Sequence, residues 1–171
     1  MKRFLLIFIL IAAAAAFAAA QNKSVYTKTD TKSCRTISAD PSHGGSYEGE
    51  CKGVRGYKIR LIEGDIRQSI NIITPANKKF ELDFWGFYGG FSSIGEKVEW
   101  RTSNGIPVAL IARYNVADND DPRSSHSYLM VAKISGESSC VTDIVAPEGD
   151  QNEKARSLAD SALEKPCRPK R

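Results

Sequence analysis

The chain has 171 residues, with 24 lysines and arginines against 20 acidic residues and a formal net charge of +4. That balance is far from the strongly basic composition of a nucleic-acid binder, and the length suits one hydrophobic core rather than several. With two histidines and four cysteines in all, no cofactor or metal signature of the spaced-ligand kind can be assembled.

Lys2 and Arg3 precede an uninterrupted apolar run from Phe4 to Ala20, which is the pattern of a secretory signal peptide. Ala18-Ala19-Ala20 followed by Gln21-Asn22 places cleavage after Ala20. The competing reading is a membrane anchor, which needs about 20 apolar residues with some bulk, whereas the second half of this run is almost all alanine. Removal of residues 1–20 leaves 22 basic against 20 acidic residues. The processed chain is expected in the periplasm or outside the cell, with no integral membrane segment.

Residues 21–50 are rich in Ser, Thr, Lys, Gly and Asp without apolar periodicity, and read as an extended N-terminal arm. A single β-rich domain with a C-terminal helix is expected over 51–171. Tyr57, Ile59 and Leu61 alternate with charged residues, as in a half-buried strand. After a turn at Glu63-Gly64-Asp65, Ile66, Ile70 and Ile72 alternate with Arg67, Ser69 and Asn71. The pair makes a hairpin with one apolar face.

Phe80 to Phe84 predicts a short strand, followed by an aromatic loop in which glycines break the ladder. Val98 to Trp100 leads to Ser103-Asn104-Gly105, an Asn-Gly hairpin turn. The strand that follows, Ile106 to Val116, contains the unbroken apolar run 108–112, as in a central strand covered on both faces. Tyr128 to Ala132 and Cys140 to Val145 complete an antiparallel meander of six or seven strands. Asp150 with Glu153 makes a capping box, and Ala155, Leu158, Ala159 and Ala162 share one helical face ending before Pro166. The fold class is α+β, mainly β, with this one helix packed on the sheet.

Cys34, Cys51, Cys140 and Cys167 form an even set in an exported chain, which favours disulfides over free thiols. Three connectivities are possible. Sequential pairing, Cys34 with Cys51 and Cys140 with Cys167, closes the shortest loops and is the expected one. The cysteines are isolated, and His43 and His126 are not at ligand spacing from them, which argues against zinc.

Trp85, Phe87, Tyr88 and Phe91 are the leading candidates for ligand contact, because their rings offer stacking surfaces on a bendable backbone; the competing role is to fill one end of the core. Asp118, Asp120 and Asp121 lack the Gly and Glu of a calcium loop, since Arg123 and Leu129 stand at those positions. Ser92 and Ser93 lack the glycine of a nucleophile elbow. Glu63, Asp65, Glu96 and Glu99 could supply paired carboxylates for a hydrolase of envelope material, though turn and strand-surface roles account for them as well. Lys165, Arg168, Lys170 and Arg171 make a basic tail, read as a solvated terminus.

The run Cys51-Lys52-Gly53 with Gly56-Tyr57, then Glu63-Gly64-Asp65-Ile66-Arg67 and Glu99-Trp100-Arg101, resembles a group of small exported bacterial proteins with no assigned chemistry. The resemblance implies a periplasmic setting. In general plan the chain also looks like periplasmic lysozyme inhibitors, without an inhibitor motif. The expected function is non-enzymatic binding of a protein, peptide or glycan of the cell envelope. The alternatives are an envelope-directed hydrolase and a structural envelope protein.

Overall fold

The computed structural model describes residues 22–42, 45–118, 120–121 and 123–170. The apolar run 4–20, its cleavage point and His43 lie outside the described residues.

Among the described residues ten strands form one mixed, open sheet: β1 (Lys23–Lys28), β2 (Arg35–Asp40), β3 (Ser46–Lys52), β4 (Lys58–Gly64), β5 (Arg67–Ile73), β6 (Lys79–Glu81), β7 (Ser92–Ser103), β8 (Ile106–Ala117), β9 (Ser125–Lys133) and β10 (Cys140–Val145). The spine of the sheet runs β10-β9-β8-β7-β5-β4-β3-β2, with β1 beside β7 and β6 beside β5. Neighbours are antiparallel except β5 and β7, which meet in parallel where Arg67 faces Ser92. The sheet is therefore larger than the expected six or seven strands and not purely antiparallel. The expected strands correspond to β4 through β10, except that β6 ends at Glu81, short of the expected Phe84, and β7 begins at Ser92 rather than at Val98. The excess is β1 and β2, built from the segment read as an arm, and β3, which begins in it and runs on to Lys52.

The arm escaped detection because its strands bury little. Every residue of β2 is exposed, and β1 buries no side chain fully, so no period-two pattern is required of them. They are held instead by pairing and by covalent bonds. Cys34 is bonded to Cys51 and Cys140 to Cys167, the sequential pattern, leaving no free cysteine among the described residues.

The main core lies between the β3–β5 half of the sheet and the β7–β10 half. Ile59, Leu61, Ile70 and Ile72 meet Val98, Trp100, Leu110, Tyr114 and Met130 there. Gly53 permits this closure, because a Cβ at that position would stand 2.8 Å from the Trp100 ring. A second, smaller core lies on the other face, where helix α1 (Gln151–Asp160) sets Ala155 and Ala159 against Ala109, Ile111, Leu129, Val131 and Val145, joined by Ala162 just beyond it. Small side chains let the helix lie close to the sheet, and the central strands are covered on both faces as their apolar runs require.

Two local expectations change. Asp150 precedes α1, but its side chain makes no capping hydrogen bond; the helix start is held instead by Gln151, whose amide donates to the carbonyls of Ser127 and Val145 at 2.7 and 3.1 Å. The basic tail is tied to the fold at three points, although Arg168 and Lys170 stay exposed and Arg171 lies outside the described residues. Lys165 Nζ reaches Asp143 at 2.9 Å, the Arg168 N–H donates to the Val141 carbonyl at 2.8 Å, and Lys170 Nζ reaches Asp83 at 2.7 Å.

Candidate binding site at the end of the sheet

The aromatic segment starts with a short 3-10 turn over Phe84–Gly86. The Phe84 N–H donates to Ser69 Oγ at 3.0 Å, and the Phe84 ring meets Tyr114 edge-on with centroids 5.4 Å apart. Phe87 is buried in the same core. Trp85 is half-buried, with its indole N–H donated to the Gln68 carbonyl at 2.9 Å. Tyr88 stacks on Tyr128 at 4.1 Å, while Phe91 stands 52% exposed. The four candidate rings therefore do not form one platform. Phe87 serves the core, Trp85 is pinned over β5, and Tyr88 and Phe91 remain at the end of the sheet.

A residue that sequence reading placed in a strand joins them. Gly64 pairs with Arg67 across the β4–β5 hairpin, so Asp65 and Ile66 form a two-residue turn. Both have left-handed φ, 53° and 57°, as the favoured hairpin turns demand. Asn, Asp and Gly accept that conformation readily, whereas a β-branched side chain there is an outlier. Ile66 was expected on the apolar face of the strand; instead it stands at the turn, 56% exposed.

The backbone brings Ile66 and Phe91 together. The Ser92 N–H donates to the Ile66 carbonyl at 3.0 Å, and the Ala117 N–H donates to the Phe91 carbonyl at 2.9 Å. The two side chains line a cleft of about 370 Å³ with Asn115, Arg123 and Ser124. A second cleft of about 490 Å³ is lined by Tyr88, Gly89, Asp118, His126 and Tyr128, and Ala117 borders both. Hydrogen bonding from the Asp120 N–H, with His126 Nε2 3.1 Å away, holds the Asp118 carboxyl below the usual carboxylate range. Ile66 and Phe91 thus make an apolar wedge in the wall of the first cleft, with the second cleft beside it.

Most of the remaining candidates have partners within the fold. Ser92 Oγ accepts from the buried Tyr114 hydroxyl at 3.0 Å, and Ser93 Oγ lies 3.5 Å from Asn115 Nδ2. Glu63 accepts from Gln68 Nε2 at 2.6 Å, and Asp65 pairs with Arg67. Glu96 is exposed. Glu99 is buried and accepts from Ser24, from Tyr26 at 2.9 Å and from Arg156 Nε at 2.8 Å. Burial pushes its carboxyl up, but hydrogen bonds from Arg156, Ser24 and Tyr26 outweigh that and hold it low. Among the described residues no group of three or more His, Cys, Asp or Glu side chains is placed to hold a metal ion.

Gln68 and Ser69 fasten the aromatic segment, and sequence reading assigned them no role. Nothing local in the sequence marked them: Ser69 alternates with Ile70 and Ile72 as a surface residue would, whereas β5 is buried on both faces and not on one as expected. Comparison of the chain with family models, with curated proteins and with solved structures gives no match.

Proposed function

We propose that this chain is a non-enzymatic binding protein of the periplasm or extracellular space that holds a partner protein through the wedge formed by Ile66 and Phe91. The observation that carries this reading is Ile66 itself. An exposed isoleucine in the left-handed region costs folding free energy on the order of 1–2 kcal/mol, and such strain concentrates where function requires a particular side chain. Its neighbour Phe91 adds a second exposed apolar surface, and aromatic anchors carry much of the energy of protein interfaces. Two disulfides, and no helix among the described residues long and apolar enough to cross a membrane, are compatible with that location.

The hydrolase reading has less support. Glu99 is kept ionised by its cationic and hydroxyl partners, which suits an anchor better than a proton donor at neutral pH. Glu63 and Asp65 each have a neighbour within the same hairpin.

Immobilised protein is exposed to periplasmic extract beside its Phe91→Ser variant, after both are shown to unfold at the same denaturant midpoint. Retention of a partner by the first and its loss from the second supports the reading. Equal retention by both, or by neither, contradicts it.

A further inference from the structure

On the helix-bearing face of the sheet, β7 and β8 part company. Ile94 pairs with Tyr114 and Val98 with Ala112, so Gly95, Glu96 and Lys97 stand opposite the single residue Arg113. A bulge of this kind bends the strand and re-aims its side chains, and bulges gather beside functional sites. This one is tied down on its far side. Thr29 donates its N–H to the Glu96 carbonyl at 2.8 Å and its hydroxyl to the Gly95 carbonyl at 2.6 Å. Gly95 lets the bulge close against Arg113, since a Cβ there would stand 3.0 Å from the arginine Cβ.

Helix α1, ten residues long and so about 15 Å, does not cover this corner. A cleft of about 390 Å³ stays open beside its first turn, with Ile111 and Leu129 among the lining side chains and Lys97 and Arg113 supplying cations. That volume lies within the range of small-molecule sites.

Arg113 is oriented without being neutralised. Its Nη1 donates to Ser127 Oγ at 2.8 Å and to Gln151 Oε1 at 3.1 Å, and its Nη2 donates to Asn152 Oδ1 at 3.2 Å. All three acceptors are uncharged. Lys97 Nζ lies 5.1 Å from the Tyr26 ring centroid, and neither cation has a carboxylate partner among the described residues. Glu99, which also borders the cleft, is already matched to Arg156 at 2.8 Å.

We infer that this cleft is a second binding site, distinct from the wedge, for a carboxylate joined to a small apolar group. With both Nη1 hydrogens and one Nη2 hydrogen given to neutral acceptors, the guanidinium keeps its Nε–H and a second Nη2–H for a carboxylate, Lys97 adds charge, and the exposed Tyr26 ring beside a floor closed by the buried Ile111 and Leu129 offers an apolar contact. A peptide C-terminus with an apolar last residue and a short fatty acid share this chemistry. Glu96, exposed at the rim, works against an anion.

The test is titration of isotope-labelled protein, followed by amide resonances, with N-acetyl-L-leucine, hexanoate and N-acetyl-L-leucinamide. The expected result is that an acid shifts the amides of Ile111, Arg113 and Leu129 while the leucinamide does not. Tighter binding of N-acetyl-L-leucine assigns a peptide end, and tighter binding of hexanoate assigns a fatty acid. Lys97→Gln, which removes no hydrogen bond of the folded chain, weakens the acid about tenfold, the worth of one charge-assisted contact. Arg113→Gln weakens it at least as much, Glu96→Gln tightens it, and Phe91→Ser leaves it unchanged. The inference is overturned if neither acid shifts these amides, if the leucinamide binds as well as its acid, or if Lys97→Gln and Arg113→Gln both bind like the parent.

Discussion

The Arg101 guanidinium grips the Asp160 carboxylate with two hydrogen bonds, Nε to Oδ1 at 2.7 Å and Nη2 to Oδ2 at 2.8 Å. The same guanidinium donates to the Asn22 carbonyl at 3.0 Å and to Ser24 Oγ at 2.6 Å. One side chain on β7 therefore fastens the start of the described chain and the end of α1 to the middle of the sheet. Beside it, Arg156 of α1 and Tyr26 of β1 converge on Glu99.

Asp160→Ala removes the two-pronged contact and leaves a largely buried guanidinium short of its partner. Hydrogen bonds to charged groups contribute about 1.5–3 kcal/mol when well shielded. The Asp160 side chain is 37% exposed, which lowers the expected loss to about 1–2 kcal/mol. Urea unfolding measures it, and the loss from Arg101→Gln and Asp160→Asn together should be smaller than the sum of the single losses.

Stability should fall in acid through this same network. Burial pushes the Glu99 and Asp160 carboxyls up, yet hydrogen bonds from Arg156, Ser24 and Tyr26 on one and from Arg101 and Asn22 on the other outweigh it and hold both below the usual range. A carboxyl depressed in the folded chain stabilises it above the unfolded-state pKa of about 4, and that stabilisation is lost as pH falls through the folded value. Denaturant midpoints recorded from neutral pH downward should hold until about pH 4–5 and then drop. Glu99→Gln should be less stable at neutral pH and show a shallower acid limb.

The second disulfide ties the docked tail to β10. Replacing Cys140 and Cys167 together by serine should cost about 2–4 kcal/mol. It should also raise hydrogen exchange in the aromatic segment, because Lys170 reaches Asp83 at the start of that segment. Thermal unfolding and exchange of the Phe84 and Phe87 amides, both hydrogen-bonded, check the two effects separately.

Strands β4 to β10, the helix and the disulfide pairing were legible in the sequence because each leaves a local mark. β8 and β9 carry unbroken apolar runs, α1 repeats small residues along one face, and the cysteines fall in two close pairs. Strands β1 and β2 leave no such mark. The stabilisation of β1 comes from partners distant in sequence, as in Tyr26 with Glu99, and β2 is an exposed strand paired with β3. Of the four rings singled out in the sequence, Tyr88 and Phe91 stand at the end of the sheet, whereas Trp85 is held by Gln68 and Phe87 by the core. Ile66 was invisible as a surface residue, since alternation counted it with Ile70 and Ile72, and a single step in the position of the turn placed it outside the strand.

Ile66→Gly tests the central claim most directly. The Ile66 carbonyl keeps its bond from Ser92, glycine accepts the left-handed turn without strain, and the aliphatic half of the wedge is removed. The account predicts an unfolding midpoint equal to or above that of the parent, together with loss of the partner that the parent captures. A variant that is clearly destabilised yet retains the partner would show that Ile66 serves the fold and would contradict the account.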